Sequence, residues 1–202
     1  MRFDAAGAGA YRARPQSMGG ATVSEARTDG IEGVLRFPLE PHPDERGSFT
    51  EVYRASWMPG TDPMPQANLS ISAANVLRGL HFHRRQADYW CVLNGVAFIG
   101  LFDLRRGSPT EGRGEELRVD AEERRIGLYI PSGVAHGFYA ETPVQLQYLV
   151  DRYFTGEDEF GIAWDDPDLG IRWPATEPIL SARDRANPPL AEVLADAPPY
   201  AG

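Results

Sequence analysis

The chain contains no lysine; all twenty of its basic residues are arginine. That excludes Schiff-base and lysine-base chemistry, and leaves forked guanidinium donors for any anionic ligand. A single cysteine, Cys91, excludes an internal disulfide framework. It lies in the apolar run Tyr89-Trp90-Cys91-Val92-Leu93 and reads as a small buried hydrophobe, not a nucleophile. No stretch approaches the ~18 apolar residues of a membrane-spanning helix. The first twenty residues also lack the continuous apolar segment of a secretory signal. Positive charge is scarce, with 20 basic against 29 acidic side chains and a formal net charge of −9. That sign argues against nucleic acid or a membrane as partner. A cytoplasmic protein is expected.

Sustained helical periodicity is missing too. Residues 1–30 show no pattern and read as a flexible N-terminal extension; 31–202 read as a single domain with ample core for its length. From residue 31 onward, short β-like runs alternate with turn residues. They fall at 34–37, 48–53, 66–72, 76–83, 89–93, 96–104, 116–119, 125–130, 137–140 and 145–150. Asn94-Gly95 between two of them is a hairpin signal. Weak helical stretches remain at 54–57 and 190–195, and the Asp-, Pro- and Trp-rich C-terminal third reads as ordered loops. The series predicts an all-β antiparallel sandwich or jelly roll.

The stretch 76–95, VLRGLHFHRRQADYWCVLNG, carries the chemistry. His81 and His83 are two residues apart on one expected strand, so both imidazoles face one side. Asp88 follows at loop spacing, and His136 comes after the Pro131-Ser132-Gly133 turn. The two pieces match the H-x-H-x4-(E/D)-x6-G and G-x3-P-x-G-x2-H motifs of cupins, which implies a cupin-type jelly roll (double-stranded β-helix). Two readings stay open at this point. In one, His81, His83, Asp88 and His136 ligate a divalent metal, since imidazole and carboxylate suit Fe, Mn, Ni, Zn or Cu. In the other, one histidine is a general base and the rest are polar lining.

A longer series of motifs runs through the chain in order. It comprises Asp44-Glu45-Arg46-Gly47-Ser48-Phe49 with Glu51, Gln66-Ala67-Asn68-Leu69-Ser70 and Leu77-Arg78-Gly79-Leu80-His81. Asp103-Leu104-Arg105, Ile130-Pro131 with Ala135-His136-Gly137-Phe138, Tyr148, Trp164-Asp165-Asp166-Pro167 and Leu180-Ser181-Ala182-Arg183-Asp184 follow. In this the chain resembles the dTDP-4-dehydrorhamnose 3,5-epimerase family, from about residue 33 to 190. The resemblance implies an isomerase acting on a dTDP-4-keto-6-deoxyhexose at C3, C5 or both, with no cofactor. The alternatives are a metal-dependent cupin isomerase or oxygenase using His81, His83, Asp88 and His136, with a divalent metal, and a non-catalytic nucleotide-sugar-binding cupin. It implies His81 as base, Asp184 as its orienting carboxylate and Tyr148 as the acid on the opposite face. It further implies Arg46 and Arg78 near the diphosphate, Glu51, Gln66, Asn68 and His136 as substrate contacts, and Tyr153 with Phe154 against the thymine. A homodimer exchanging an N-terminal strand is also implied.

Two departures stand out. His83 occupies the position of the family's usual Gln, and Asp88 that of a Lys that helps stabilise the enolate. A carboxylate there would oppose a developing anion. Arg84, Arg85 or a protonated His83 could supply the missing charge, or a metal could act as Lewis acid with His81 as a ligand. Arg78 raises a separate question: three positions before His81, it faces away on a regular strand, so it serves this site only if the Gly79 step is irregular, or else serves a neighbouring subunit's site.

Overall fold

The structure, a computed structural model, describes residues 30–201; nearly all of the expected extension at 1–30 lies outside the described residues. The strands are β1 (Leu35–Pro38), β2 (Pro41–Asp44), β3 (Gly47–Thr50), β4 (Gln66–Ser72), β5 (Leu77–Phe82) and β6 (Asp88–Asn94). They continue with β7 (Val96–Asp103), β8 (Gly114–Asp120), β9 (Ile126–Ile130), β10 (Val134–Ala140), β11 (Val144–Val150) and β12 (Phe160–Gly161). Two short helices follow, α1 (Ala182–Arg185) and α2 (Leu190–Leu194). One five-stranded sheet has the order β1-β9-β6-β11-β4 and the other β12-β5-β10-β7-β8, while β2 and β3 form a separate hairpin. This is the cupin-type jelly roll the motifs imply.

From β4 to β7 the chain changes sheet at every connection, and it does so again from β8 to β12. Residues close in sequence therefore end on opposing walls. Asn94-Gly95 is one such crossing rather than a hairpin, because β6 and β7 belong to different sheets. Gly95 has φ +84°, and a Cβ there would meet the Pro143 carbonyl oxygen at 2.1 Å. The dipeptide reports a reversal that only Gly accommodates, not the pairing of its neighbours.

Between the sheets an apolar core gathers Trp90 and Val92 of β6, Ile99 and Leu101 of β7, Phe138 of β10 and Leu146 of β11. The outer face of the second sheet is covered by the C-terminal segment, where Leu169, Leu190 and Trp173 pack on Leu80, Phe82 and Phe102. Trp173 donates its indole N–H to the Trp164 backbone carbonyl at 2.8 Å, which fixes its ring on this layer. On the first sheet's outer face, Phe37, Met58, Tyr89 and Cys91 form a third cluster. Burial pushes the Cys91 thiol up to about 11, partly offset by Arg125, which keeps it protonated and inert.

β4 inverts the usual pattern. Gln66, Asn68 and Ser70 face the interior, while Leu69 and Ile71 point outward, 57% and 65% exposed. The sequence expects a half-buried strand here; its polar face is the inner one because that face lines a cavity. The short β2, β12 and α1 were not apparent in the sequence. Pro41 and Pro43 mask β2, and α1 is too short for a periodic signal.

Candidate active site

The apolar core gives way at one end to a cavity of about 390 Å³. Trp90, Phe138 and Leu146 form its apolar base, and Gln66, Asn68, Arg78, His81, His83, Asp88, His136 and Tyr148 its polar walls. Of the residues the sequence singles out, Arg46, Glu51, Tyr153 and Asp184 do not line it.

Asp184 lies directly behind the cavity wall. Ser181 caps α1 by accepting the Asp184 backbone N–H at 3.0 Å, which turns the Asp184 carboxylate toward β5. His81 Nε2 is 2.6 Å from Asp184 Oδ1. Burial by itself would raise the Asp184 carboxyl, but the hydrogen bond and charge of His81, with Ser181 and Arg183, outweigh it and hold it below the ordinary range. An ionised carboxylate only accepts, so Nε2 carries a proton, and in the neutral ring the lone pair resides on Nδ1.

Tyr148 stands on β11 of the opposite sheet, paired with Asn68 on one side and Trp90 on the other. Its hydroxyl has no hydrogen-bond partner among the described residues. Partial burial raises its pKa, reinforced by Asp88 and Glu159 and opposed by Arg78, so it remains a phenol well past neutrality.

Arg78 does face the cavity with His81, although three positions separate them. The β5–β10 ladder pairs His81 with His136 and Arg78 with Phe138, so three steps on β5 match two on β10. This bulge restores the parity. Gly79 sits at its centre with φ +117°, and a Cβ there would lie 2.8 Å from both Gly137 Cα and the His136 carbonyl oxygen. Gly79→Ala is therefore expected to destabilise the protein by about 2 kcal/mol or more. It should also uncouple Arg78 from His81. Chemical denaturation checks this, and an unchanged midpoint would contradict it.

His83, Asp88 and His136 form a second, fully buried group, with one ligand-type atom of each lying within 4.8 Å of the others. His81 does not belong to it among the described residues. His83 Nε2 is 3.9 Å from Asp88 Oδ1, and His136 Nε2 is 3.8 Å from Asp88 Oδ2. Their other ring nitrogens lie on backbone carbonyls, His83 Nδ1 at 2.6 Å from Asp158 O and His136 Nδ1 at 3.0 Å from Val134 O. Burial lowers the His136 pKa to about 4, more than Asp88 can restore, so that ring is neutral.

Several residues emerge that sequence reasoning missed. Asp158 accepts the backbone N–H groups of Arg84, Arg85 and Gln86, and so shapes the loop between β5 and β6. Glu159 reaches the cavity and is paired with Arg183. The polar stretch 151–160 carries no motif that would reveal either. Arg84 and Arg85, proposed from sequence as replacement cations, are otherwise occupied. The Arg84 guanidinium stacks over Phe160 at 4.6 Å and reaches Asp196, and Arg85 points to an outer hollow. That hollow, lined by Arg85, Arg152, Tyr153 and Phe154, joins the cavity at Gln86, Phe154 and Glu159. Tyr153 is thus at the mouth, 70% exposed. Arg46 and Glu51 belong to the β2–β3 hairpin and the segment after it. There Arg46 pairs with Asp44 and Glu51 with Arg54.

The model of the dTDP-4-dehydrorhamnose 3,5-epimerase family matches residues 28–192. A dTDP-4-dehydrorhamnose 3,5-epimerase of Streptomyces griseus is 38% identical over 189 residues, covering 89% of this chain and 87% of the relative. Among solved structures, NovW, a 4-keto-6-deoxy sugar epimerase of Streptomyces spheroides, superposes with a TM-score of 0.80 at 38% identity, covering 87% of this chain and 93% of its own. ChmJ, a 3'-monoepimerase of Streptomyces bikiniensis in complex with dTDP-quinovose, gives 0.78 at 36% identity, covering 84% and 91%.

Proposed function

The chain belongs to the dTDP-4-dehydrorhamnose 3,5-epimerase family, and from that membership we propose how its cavity performs the reaction. It is an isomerase that epimerises dTDP-4-keto-6-deoxy sugars, at C3, C5 or both. The C–H bonds beside a 4-keto group are acidic because the carbanion is an enolate. Inversion needs a base on one ring face and an acid on the other.

The carrying observation is that the two groups stand on opposing sheets of one cavity. His81, oriented by Asp184 at 2.6 Å, offers Nδ1 as the base. The Asp184 carboxylate accompanies the positive charge that develops on the ring, as a triad aspartate does. Tyr148, a phenol with a free hydroxyl on the facing sheet, returns a proton from the other side. Arg78 lies on the His81 side, where a forked donor suits a diphosphate, and Arg85, Arg152 and the exposed Tyr153 and Phe154 offer charge and stacking surface outside. The test is incubation of the 4-keto sugar nucleotide in D2O: deuterium enters C3, C5 or both, and no exchange at either carbon under full enzyme loading contradicts the assignment.

We also propose that the enzyme is a homodimer. Leu69 and Ile71 expose an apolar outer face on edge strand β4, and Phe49 is 69% exposed on the β2–β3 hairpin. Arg46 and Glu51, absent from their own chain's cavity, require a second copy to contact substrate. Light scattering reads the mass, and a monomer at working concentration would exclude both points. The cytoplasmic location expected from the sequence is likewise a proposal.

A further inference from the structure

We propose that His83, Asp88 and His136 hold a divalent transition-metal ion beside the His81 base, and that this ion supplies the positive charge facing the enolate oxygen. The second half rests on the epimerase reading; the first does not.

Asp88 is 3% exposed, and its two oxygens accept hydrogen bonds only from neutral donors, Gln86 Nε2 at 2.9 Å and Trp90 Nε1 at 3.1 Å. A buried carboxylate without a counter-charge is costly. Among the described residues no arginine hydrogen-bonds it, and the two histidines stop at 3.8–3.9 Å, too far for a direct hydrogen bond. The gap has a shape. Both imidazoles are placed to donate Nδ1–H to a carbonyl, which fixes the tautomer and leaves each Nε2 lone pair on the Asp88 side, His83 Nε2 being also 3.9 Å from Glu159 Oε1. Ligands of a tetrahedral ion bound at about 2.1 Å stand about 3.4 Å apart. The two His–Asp separations of 3.8–3.9 Å exceed that by a few tenths of an ångström, and the three ligand atoms all lie within 4.8 Å of one another. Two imidazoles and one carboxylate, with further positions open to the cavity, suit Zn, Fe, Mn or Co.

The location matches the need. His136 pairs with His81 across the β5–β10 ladder, so the trio flanks the base. The residue types that replace the family's Gln and Lys, His83 and Asp88, are two of the three ligands. Loss of the ammonium and gain of the ion are then a single exchange of one cation for another, acting as Lewis acid on the ketone oxygen. His81 stays outside the set, with its Nε2 committed to Asp184, so the base and the metal coexist. This differs from the four-ligand set expected from spacing.

The experiment uses untagged full-length protein, stripped with chelator and titrated with Co(II), then Zn(II). We expect one equivalent of Co(II) per chain, with visible d–d absorption that Zn(II) abolishes. His83→Gln, Asp88→Asn and His136→Gln should each weaken binding by about 100-fold, in line with the loss of a ligand, while His81→Asn retains it. Less than about a tenth of an equivalent on folded wild-type protein, or equal loss in His81→Asn, overturns the site. Stripping should lower deuterium exchange into the 4-keto sugar by about 10²–10³-fold, with dTDP binding kept and activity restored by the ion. Stoichiometric binding with exchange unaffected by stripping overturns the Lewis-acid role. Ion binding without exchange in either form would instead overturn the epimerase reading and leave the metal site standing.

Discussion

Replacing His81 with Asn should lower kcat/KM by about 10³–10⁴-fold and abolish deuterium uptake at every carbon the wild-type enzyme labels. General-base catalysis by a positioned side chain contributes about 10²–10⁴-fold. The upper part of that range applies because, of the described histidines lining the cavity, His81 alone is hydrogen-bonded to a carboxylate, His83 and His136 being bonded to backbone carbonyls. Asn keeps a hydrogen bond to the carboxylate but cannot take a proton. His81 is only partly buried and its partner is held independently by the Ser181 cap. Thermal unfolding should therefore move little. Exchange that survives in the variant at a tenth or more of the wild-type rate would show that another group removes the proton. The retained fold is what ties the loss of turnover to chemistry.

Tyr148→Phe should separate the two halves of the reaction. Its hydroxyl stands on the sheet opposite His81 and takes no part in the packing of β11. With the base intact, the C–H proton is still removed and returned by His81 on its own face. Deuterium should then enter the sugar without inversion, while epimerised product falls by about 10²–10⁴-fold. Burial raises the tyrosine's pKa, so the wild-type phenol remains an acid across the neutral and mildly alkaline range. NMR of the product in D2O reads both quantities from one sample. Inversion at the wild-type rate would dismiss Tyr148 as the acid, and loss of exchange together with inversion would mean it acts in the first step as well.

The strand series was legible because alternation and turn residues are local signals, and β4 and β7 fall almost where the sequence puts them. Pairing was not legible. Asn94-Gly95 announces a reversal, yet whether the next strand pairs or crosses depends on contacts with Pro143 and β11 that no local pattern encodes. The bulge that aligns Arg78 with His81 was visible only as a parity problem with a glycine beside it. His81, Asp184 and Tyr148, 103 residues apart at their extremes, were found through motif resemblance, since spacing alone could not join them. Spacing also offered His81 as a metal ligand in one of its two open readings, whereas the structure groups only His83, Asp88 and His136 among the described residues. Two histidines on one face do share the cavity, but the Asp184 carboxylate claims one of them.

The most direct measurement is a crystal structure of the His81→Asn protein with an intact dTDP-4-keto sugar bound. The expected result puts the substituted carboxamide side chain and the Tyr148 hydroxyl on opposite faces of the hexose, each within about 3.5 Å of C3 or C5. The diphosphate would lie toward Arg78. A hexose seated with both groups on one face, or held in the outer hollow beyond reach of either, would contradict the mechanism.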